Sequence, residues 1–107
     1  MKKEITYNKL VRDNILEIIE KNNQKSNYHI ATNEEYKVKL LEKLQEEVQE
    51  FILEKNKEEL ADILEVIDYI ISAFELDKKD ILETKENKNK KRGGFNKKII
   101  LESVFEF

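Results

Sequence analysis

The sequence has 107 residues, of which 39% are hydrophobic and 40% are charged, with no proline and two glycines. This length suits one domain, and the shortage of turn residues argues against a β-sandwich or a β-barrel, so helices are expected. The 20 basic and 23 acidic side chains give a formal net charge of −3, which is too balanced for a general nucleic-acid-binding or membrane-binding surface.

The absence of cysteine excludes disulfides and thiolate metal sites and agrees with a reducing cytoplasm. The first ten residues, MKKEITYNKL, lack the apolar centre of a signal peptide. The most apolar stretch, ILEVIDYIISAF, is too short and too charged to span a bilayer. The sequence therefore predicts a cytoplasmic protein whose partners include neither a membrane nor a nucleic-acid polymer.

A short first helix is predicted in NILEIIEKNN, with Asp13 as its N-cap and a narrow stripe of isoleucines as its apolar face. So short a helix needs tertiary contacts to be stable. His29, the only histidine, follows this helix and is predicted to be a loop or packing residue.

Two longer helices are predicted to form an antiparallel hairpin over about residues 33–75. Thr32 and Glu35 have the spacing of a capping box and begin the first arm, which extends to about Lys55. Asn56 is the predicted N-cap of the second arm. Because only two or three residues connect the arms, they must run antiparallel. The apolar residues of the first arm follow the i, i+3, i+4, i+7 pattern, and they are Leu40, Leu41, Leu44, Val48, Phe51 and Ile52.

The second arm has a broader apolar surface. Its members are Leu60, Ile63, Leu64, Val66, Ile67, Ile70, Ile71 and Phe74. So wide an arc requires burial on more than one side, by the other helices of the chain or by a second subunit. The predicted fold is therefore an all-α helical bundle, one domain over residues 1–107, built around the hairpin and completed by oligomerisation.

A weaker fourth helix is predicted over about residues 77–91, where it ends in the polar run KENKNKKR. Gly93 and Gly94 are expected to stop this helix or to form a turn. The last residues, FNKKIILESVFEF, alternate enough to form a strand or a packed tail, and the pattern does not choose between them.

Both arms of the hairpin place acidic residues close to the apolar face. With about 100° of rotation per residue, Glu47 lies at the core edge of the first arm and Glu50 lies further round. On the second arm Glu59 lies inside the apolar arc and Asp62 lies at its border. Because side chains at i and i+3 are neighbours on a helix, each arm presents a pair of carboxylates. Glu46, in contrast, points away from the core.

Four carboxylates at a partly dry seam repel one another, and removing one unpaired charge from water is costly. Protonation or a cation must relieve this repulsion. Oxygen-only ligands suit a hard divalent ion, Mg²⁺ above all, with Mn²⁺ as an alternative. The competing interpretation is that these acids are solvated, with Glu59 in a capping arrangement with Asn56. Glu65 and Asp68 repeat the same spacing but point away from the core, so they are predicted to be surface residues.

The order E-E-x-x-E followed by E-x-x-D on two antiparallel helices resembles the all-α nucleoside triphosphate pyrophosphohydrolases. This MazG-like group includes phosphoribosyl-ATP pyrophosphohydrolase-like proteins and dimeric dUTPases. Three stretches, which together reach over most of the chain, resemble its small single-domain house-cleaning branch: YNKLVRDNILEII, ELADILEVID and KKRGGF. Two features depart from the family. The eight residues between Glu50 and Glu59 are fewer than in dUTPase-type members, and Leu16 stands where the branch often has proline.

The resemblance implies Mg²⁺-dependent hydrolysis between the α- and β-phosphates of a nucleotide, which yields a nucleoside monophosphate and pyrophosphate. It also implies a homodimer or a homotetramer. The metal ligands would be Glu47, Glu50, Glu59 and Asp62. Catalytic roles would fall to Glu46, which would orient or deprotonate the attacking water, and to Glu47.

Lys9, Arg12 and Arg92 lie in the matching stretches and would bind the substrate phosphates, whereas Lys88, Lys90 and Lys91 are expected to be solvated. Two alternatives stay open. One is a phosphoribosyl-ATP pyrophosphohydrolase. The other, from a different class, is a non-catalytic helical module whose acidic hairpin binds a metal or a basic partner.

Overall fold

A computed structural model describes residues 3–107. Over this range the chain has four helices and no strand: α1 (Ile15–Lys21), α2 (Asn33–Glu54), α3 (Lys57–Ala73) and α4 (Lys78–Arg92). Helices α2 and α3 pack against each other as the predicted hairpin. The all-α prediction is therefore confirmed. Contacts along the chain group it into two compact units, Met1–Glu75 and Leu76–Phe107.

The hairpin helices begin where the capping rules place them. The Oγ1 atom of Thr32 accepts a hydrogen bond from the backbone N–H of Glu35 at 3.3 Å. At the start of α3, Oδ1 of Asn56 accepts from the N–H of Glu59 at 3.0 Å. Between the helices, Lys55 ends α2 in the left-handed conformation, with a φ of 52°. Both predicted N-caps are thus confirmed, and the left-handed residue reverses the chain between the arms.

Helix α1 begins one residue later than predicted. Its N-cap is Asn14, not Asp13, and no side-chain hydrogen bond caps the helix. The reason is a turn just before the helix, in which the carbonyl oxygen of Arg12 accepts from the N–H of Ile15 at 3.1 Å. This turn contains Asp13 and takes it out of the capping position.

The first unit has a small core. Among the described residues, the buried hydrophobic side chains are Leu40, at 2% exposure, and Val66, at 8%, and one charged residue, Glu47, is also buried. A two-helix hairpin buries one seam, so the wider apolar faces predicted from the sequence stay accessible in the single chain. The exposed members of these faces are Leu41, Val48, Ile52, Leu60, Leu64 and Ile67.

The second unit is built on α4, which has no buried residue. The Oδ1 atom of Asp77 caps the helix by accepting from the N–H groups of Lys79 and Asp80 at 2.8 and 3.3 Å. At the other end, Gly93 has a φ of 81°, a conformation that favours glycine, and its N–H donates to the carbonyl oxygen of Asn89. The prediction of a helix stop at this glycine is confirmed.

The residues after α4 form a turn near Phe95 and then continue to the end of the chain without helix or strand. Their apolar side chains are exposed, and they include Ile99, Ile100, Leu101, Val104 and Phe105. None of the helices in residues 3–107 has the combination of length and apolar character that crossing a membrane requires.

Candidate metal centre

Three carboxylates meet where α2 packs on α3. One oxygen from each of Glu47, Glu50 and Glu59 lies within 4.8 Å of the other two. Helix α2 presents the first two residues one turn apart, and the first turn of α3, fixed by the Asn56 cap, presents the third. The structure therefore brings together three of the four predicted metal ligands. We call these three residues the carboxylate cluster.

Burial makes this cluster unusual. Glu47 is only 6% exposed, and its Oε2 atom has no hydrogen-bond partner. The Oε2 atom of Glu59 is also buried without a partner. A carboxylate oxygen removed from water without a partner is unfavourable, and a bound cation would relieve that cost. Because all the donors are carboxylate oxygens, the residues present fit a hard divalent ion such as Mg²⁺ or Mn²⁺.

Protons are the other way to relieve the repulsion. The pKa of Glu59 is raised to about 7, first by its side-chain hydrogen bond with Glu50, and further by burial and by the charges of Glu50, Asp62 and Glu47. Burial and the charges of Glu50 and Asp62 also raise the pKa of Glu47, against the opposing effect of Lys43. A proton on Glu59 would therefore relieve the repulsion below about pH 7, and a cation would do so above it.

Glu46 and Glu47 are adjacent in sequence but have different environments. The Oε1 atom of Glu46 accepts a hydrogen bond from Lys9 at 2.9 Å, and its Oε2 atom accepts from Lys43 at 3.1 Å. Burial raises the pKa of Glu46, but these two hydrogen bonds and the charges of both lysines together lower it by more, so the pKa lies below its ordinary value. The Nζ atom of Lys43 is also 3.5 Å from Oε1 of Glu47. Glu46 is thus paired at both oxygens, whereas Glu47 is paired at one.

The N-terminal segment binds both arms of the hairpin. The carbonyl oxygen of Asn8 accepts from Lys39 at 2.9 Å. The guanidinium of Arg12 donates to Asp62 at 2.8 Å and to Glu65 at 3.1 Å. Asp62, the fourth predicted metal ligand, therefore lies outside the carboxylate cluster and is paired with a cation. Its role as a metal ligand stays a prediction.

Two residues of this site were not predicted from the sequence, Lys43 and Glu65. On a helical wheel Glu65 points away from the core, yet it binds Arg12, which lies 53 positions earlier. A local sequence pattern cannot indicate an ion pair between residues so far apart in the sequence. Lys43, in contrast, lies three and four residues before Glu46 and Glu47, a spacing that does indicate ion pairs on a helix.

Two other predicted residues lie elsewhere. Arg92 is the last residue of α4 and forms a basic final turn with Lys90 and Lys91 in the second unit. Its contact with a substrate phosphate stays a prediction. In the first unit the exposed ring of His29 lies 2.9 Å from a carboxylate oxygen of Glu35, in keeping with the predicted loop position.

Comparison with known proteins gives no assignment, because no family model, curated protein or solved structure matches this chain.

Proposed function

We propose that the chain is a Mg²⁺-dependent nucleotide pyrophosphohydrolase of the cytoplasm. It would hydrolyse the α–β phosphate bond of a nucleoside triphosphate and release a nucleoside monophosphate and pyrophosphate. One observation carries the proposal: Glu47, a buried carboxylate with an unpartnered oxygen, belongs to a cluster with Glu50 and Glu59. The resemblance of the surrounding motifs to house-cleaning pyrophosphatases favours non-canonical nucleotides as substrates.

The balance of charge around the cluster supports a cation. When all groups are ionised, six carboxylates face three cationic side chains, which leaves an excess of three negative charges. A single shared proton or a single divalent ion reduces this excess without removing it. The carboxylates are Glu46, Glu47, Glu50, Glu59, Asp62 and Glu65, and the cations are Lys9, Arg12 and Lys43.

The chain's own residues would act through position and electrostatics. When bound, Mg²⁺ would draw charge from the phosphate oxygens of the substrate. Glu47, Glu50 and Glu59 would hold the ion. Glu46 stays ionised because of its two lysine partners, so it can accept a hydrogen bond from the attacking water. Because its pKa is lowered, Glu46 is better suited to orienting the water than to removing a proton from the water. Hydrolysis of this kind needs no nucleophilic side chain.

Lys9 and Arg12 are the proposed phosphate ligands of the first unit. Both already bind carboxylates at the edge of the cluster, so an incoming triphosphate would compete with those carboxylates for the same cations. The planar guanidinium of Arg12 matches the geometry of phosphate oxygens.

We expect Arg12→Gln to raise the KM for the nucleotide about tenfold, since a charge-assisted hydrogen bond to phosphate contributes about 1.5–3 kcal/mol. The free energy of unfolding should change by less than about 1 kcal/mol, because the ion pairs of Arg12 are exposed. Steady-state kinetics and urea unfolding measure the two effects. Lys21→Gln, which removes an exposed charge from α1, is the control. An unchanged KM in Arg12→Gln would remove Arg12 from the phosphate site.

We also propose that the chain works as a homodimer or a homotetramer. The apolar residues exposed on α2 and α3 outnumber those buried between the helices, and a second copy would cover such a surface. Sedimentation equilibrium at micromolar concentration should therefore give two or four times the chain mass of 12.8 kDa. A mass of one chain would contradict the proposed oligomer but would not contradict the proposed reaction.

The reaction itself is tested by pyrophosphate release. The panel contains canonical, deoxy and damaged nucleoside triphosphates together with phosphoribosyl-ATP, each with Mg²⁺ and with chelator. Mg²⁺-dependent release from nucleoside triphosphates would support the proposal, and release from phosphoribosyl-ATP alone would identify the alternative enzyme. If no substrate releases pyrophosphate while Mg²⁺ still raises the melting temperature, the chain is a non-catalytic metal-binding module.

A further inference from the structure

Lys43 differs from the other two cations beside the carboxylate cluster. Its side chain is only 17% exposed, against 41% for Lys9 and 57% for Arg12. Its Nζ atom lies between two carboxylates, 3.1 Å from Oε2 of Glu46 and 3.5 Å from Oε1 of Glu47. A side chain with so little exposure is poorly placed to reach a substrate in solution, but it is well placed to fix its neighbours.

We infer that Lys43 is a positioning residue, which holds Oε1 of Glu47 and so turns the unpartnered Oε2 toward the cation site. The inference rests on the proposed function, because it requires the cluster to bind a divalent ion. It assigns Lys43 no contact with the ion or the substrate.

The positions of the partners explain how Lys43 itself is held. Lys43 precedes Glu46 by three residues and Glu47 by four, so all three side chains lie on neighbouring parts of α2. The shorter contact is to Glu46, and Glu46 is in turn fixed by Lys9 from the N-terminal segment. Lys9, Glu46 and Lys43 thus form a chain of alternating charges that ends on Glu47. Mutation of a residue that orients a metal ligand without contacting the metal commonly lowers metal affinity about ten- to a hundredfold.

Removing Lys43 has two effects of opposite sign on cation binding. Loss of a positive charge near the site favours a cation, through Coulomb's law. Loss of the ion-pair partner frees the Glu47 side chain to adopt other rotamers and disfavours the cation. The direction of the change in affinity therefore distinguishes a positioning residue from a mere neighbouring charge.

The experiment measures binding of Mn²⁺ by electron paramagnetic resonance and of Mg²⁺ by calorimetry, with no nucleotide present. We expect Lys43→Met and Lys43→Gln to weaken binding about tenfold or more, and Lys43→Arg to retain most of it. Two neutral variants are used so that the result does not depend on the folding of one. The control is Lys21→Met, which removes the same charge from an exposed position on α1. Its affinity should equal that of the wild type.

Affinity that is unchanged or increased in both neutral variants, with the wild type binding normally, would overturn the role of Lys43 and leave the proposed function standing. Loss of affinity in Lys43→Arg equal to that in Lys43→Met would also overturn it, since the cationic partner would then be irrelevant. Absence of binding by the wild type would contradict the proposed function and this inference together.

Discussion

Replacement of Glu47 by glutamine is expected to reduce Mg²⁺-dependent pyrophosphate release at least a hundredfold, in order of magnitude, while the helical content stays unchanged. The reason is that Glu47 carries one of the two buried, unpartnered oxygens of the carboxylate cluster, and an amide is a weaker ligand for a hard cation. Turnover is measured by pyrophosphate release and helical content by circular dichroism.

The same variant separates catalysis from stability. In the wild type, Mg²⁺ at a hundred times its Kd should raise the free energy of unfolding by about 2.7 kcal/mol. In Glu47→Gln this increase should disappear. In chelator the variant should be at least as stable as the wild type, because repulsion of Glu47 by Glu50 and Asp62 is gone, while Lys43 keeps Glu46 as its nearer partner. Glu54→Gln, at the exposed last turn of α2, should keep both the turnover and the response to Mg²⁺. Full turnover by Glu47→Gln would exclude Glu47 from the reaction.

The second large effect is a dependence of the metal-free chain's stability on pH. The pKa of Glu59 is about 7 in the folded chain, against about 4.3 for an unperturbed glutamate, so the folded state holds this proton more tightly than the unfolded state. The resulting stabilisation is fully present below about pH 4.3 and is lost as the pH rises through 7. In chelator, the melting temperature should therefore fall between about pH 5 and pH 8.

With saturating Mg²⁺ the metal-induced rise in melting temperature should instead grow over the same range, because the ion requires ionised carboxylates. Thermal unfolding at several pH values, with chelator and with Mg²⁺, measures both trends. Glu59→Gln should flatten the curve recorded in chelator. Glu58→Gln, which changes the exposed neighbouring acid, should leave that curve as in the wild type. A melting temperature of the metal-free wild type that rises from pH 5 to pH 8 would contradict the assignment to Glu59.

The hairpin could be predicted because its determinants are local. Thr32 and Asn56 cap the N–H group three residues further on, and such a pair is visible in any short window of sequence. The position of Glu59 inside an apolar arc follows from the helical period alone, and the structure buries one of its oxygens. The fold class and the cluster of Glu47, Glu50 and Glu59 could therefore be predicted from the sequence.

The pairing of the acids with Lys9 and Arg12 could not be predicted, because it depends on where the N-terminal segment passes. Nothing near Asp62 or Glu65 in the sequence shows that Arg12 reaches them from the other end of the unit. Similarly, the turn that displaces Asp13 from the N-cap position forms through the backbone of Arg12 and Ile15, and the side-chain pattern gives no sign of it.

The short connection at Lys55 and Asn56 also affects when the carboxylate cluster forms during folding. Glu47, Glu50 and Glu59 all lie on one hairpin, so they are joined by a local contact of the kind that closes within microseconds of the start of folding. Closure of the hairpin brings these like charges together. In the absence of a cation this step is opposed by repulsion, so the rate at which the chain folds should increase with Mg²⁺. The chain would then acquire its ion as it folds, and cation capture and hairpin closure would be a single event.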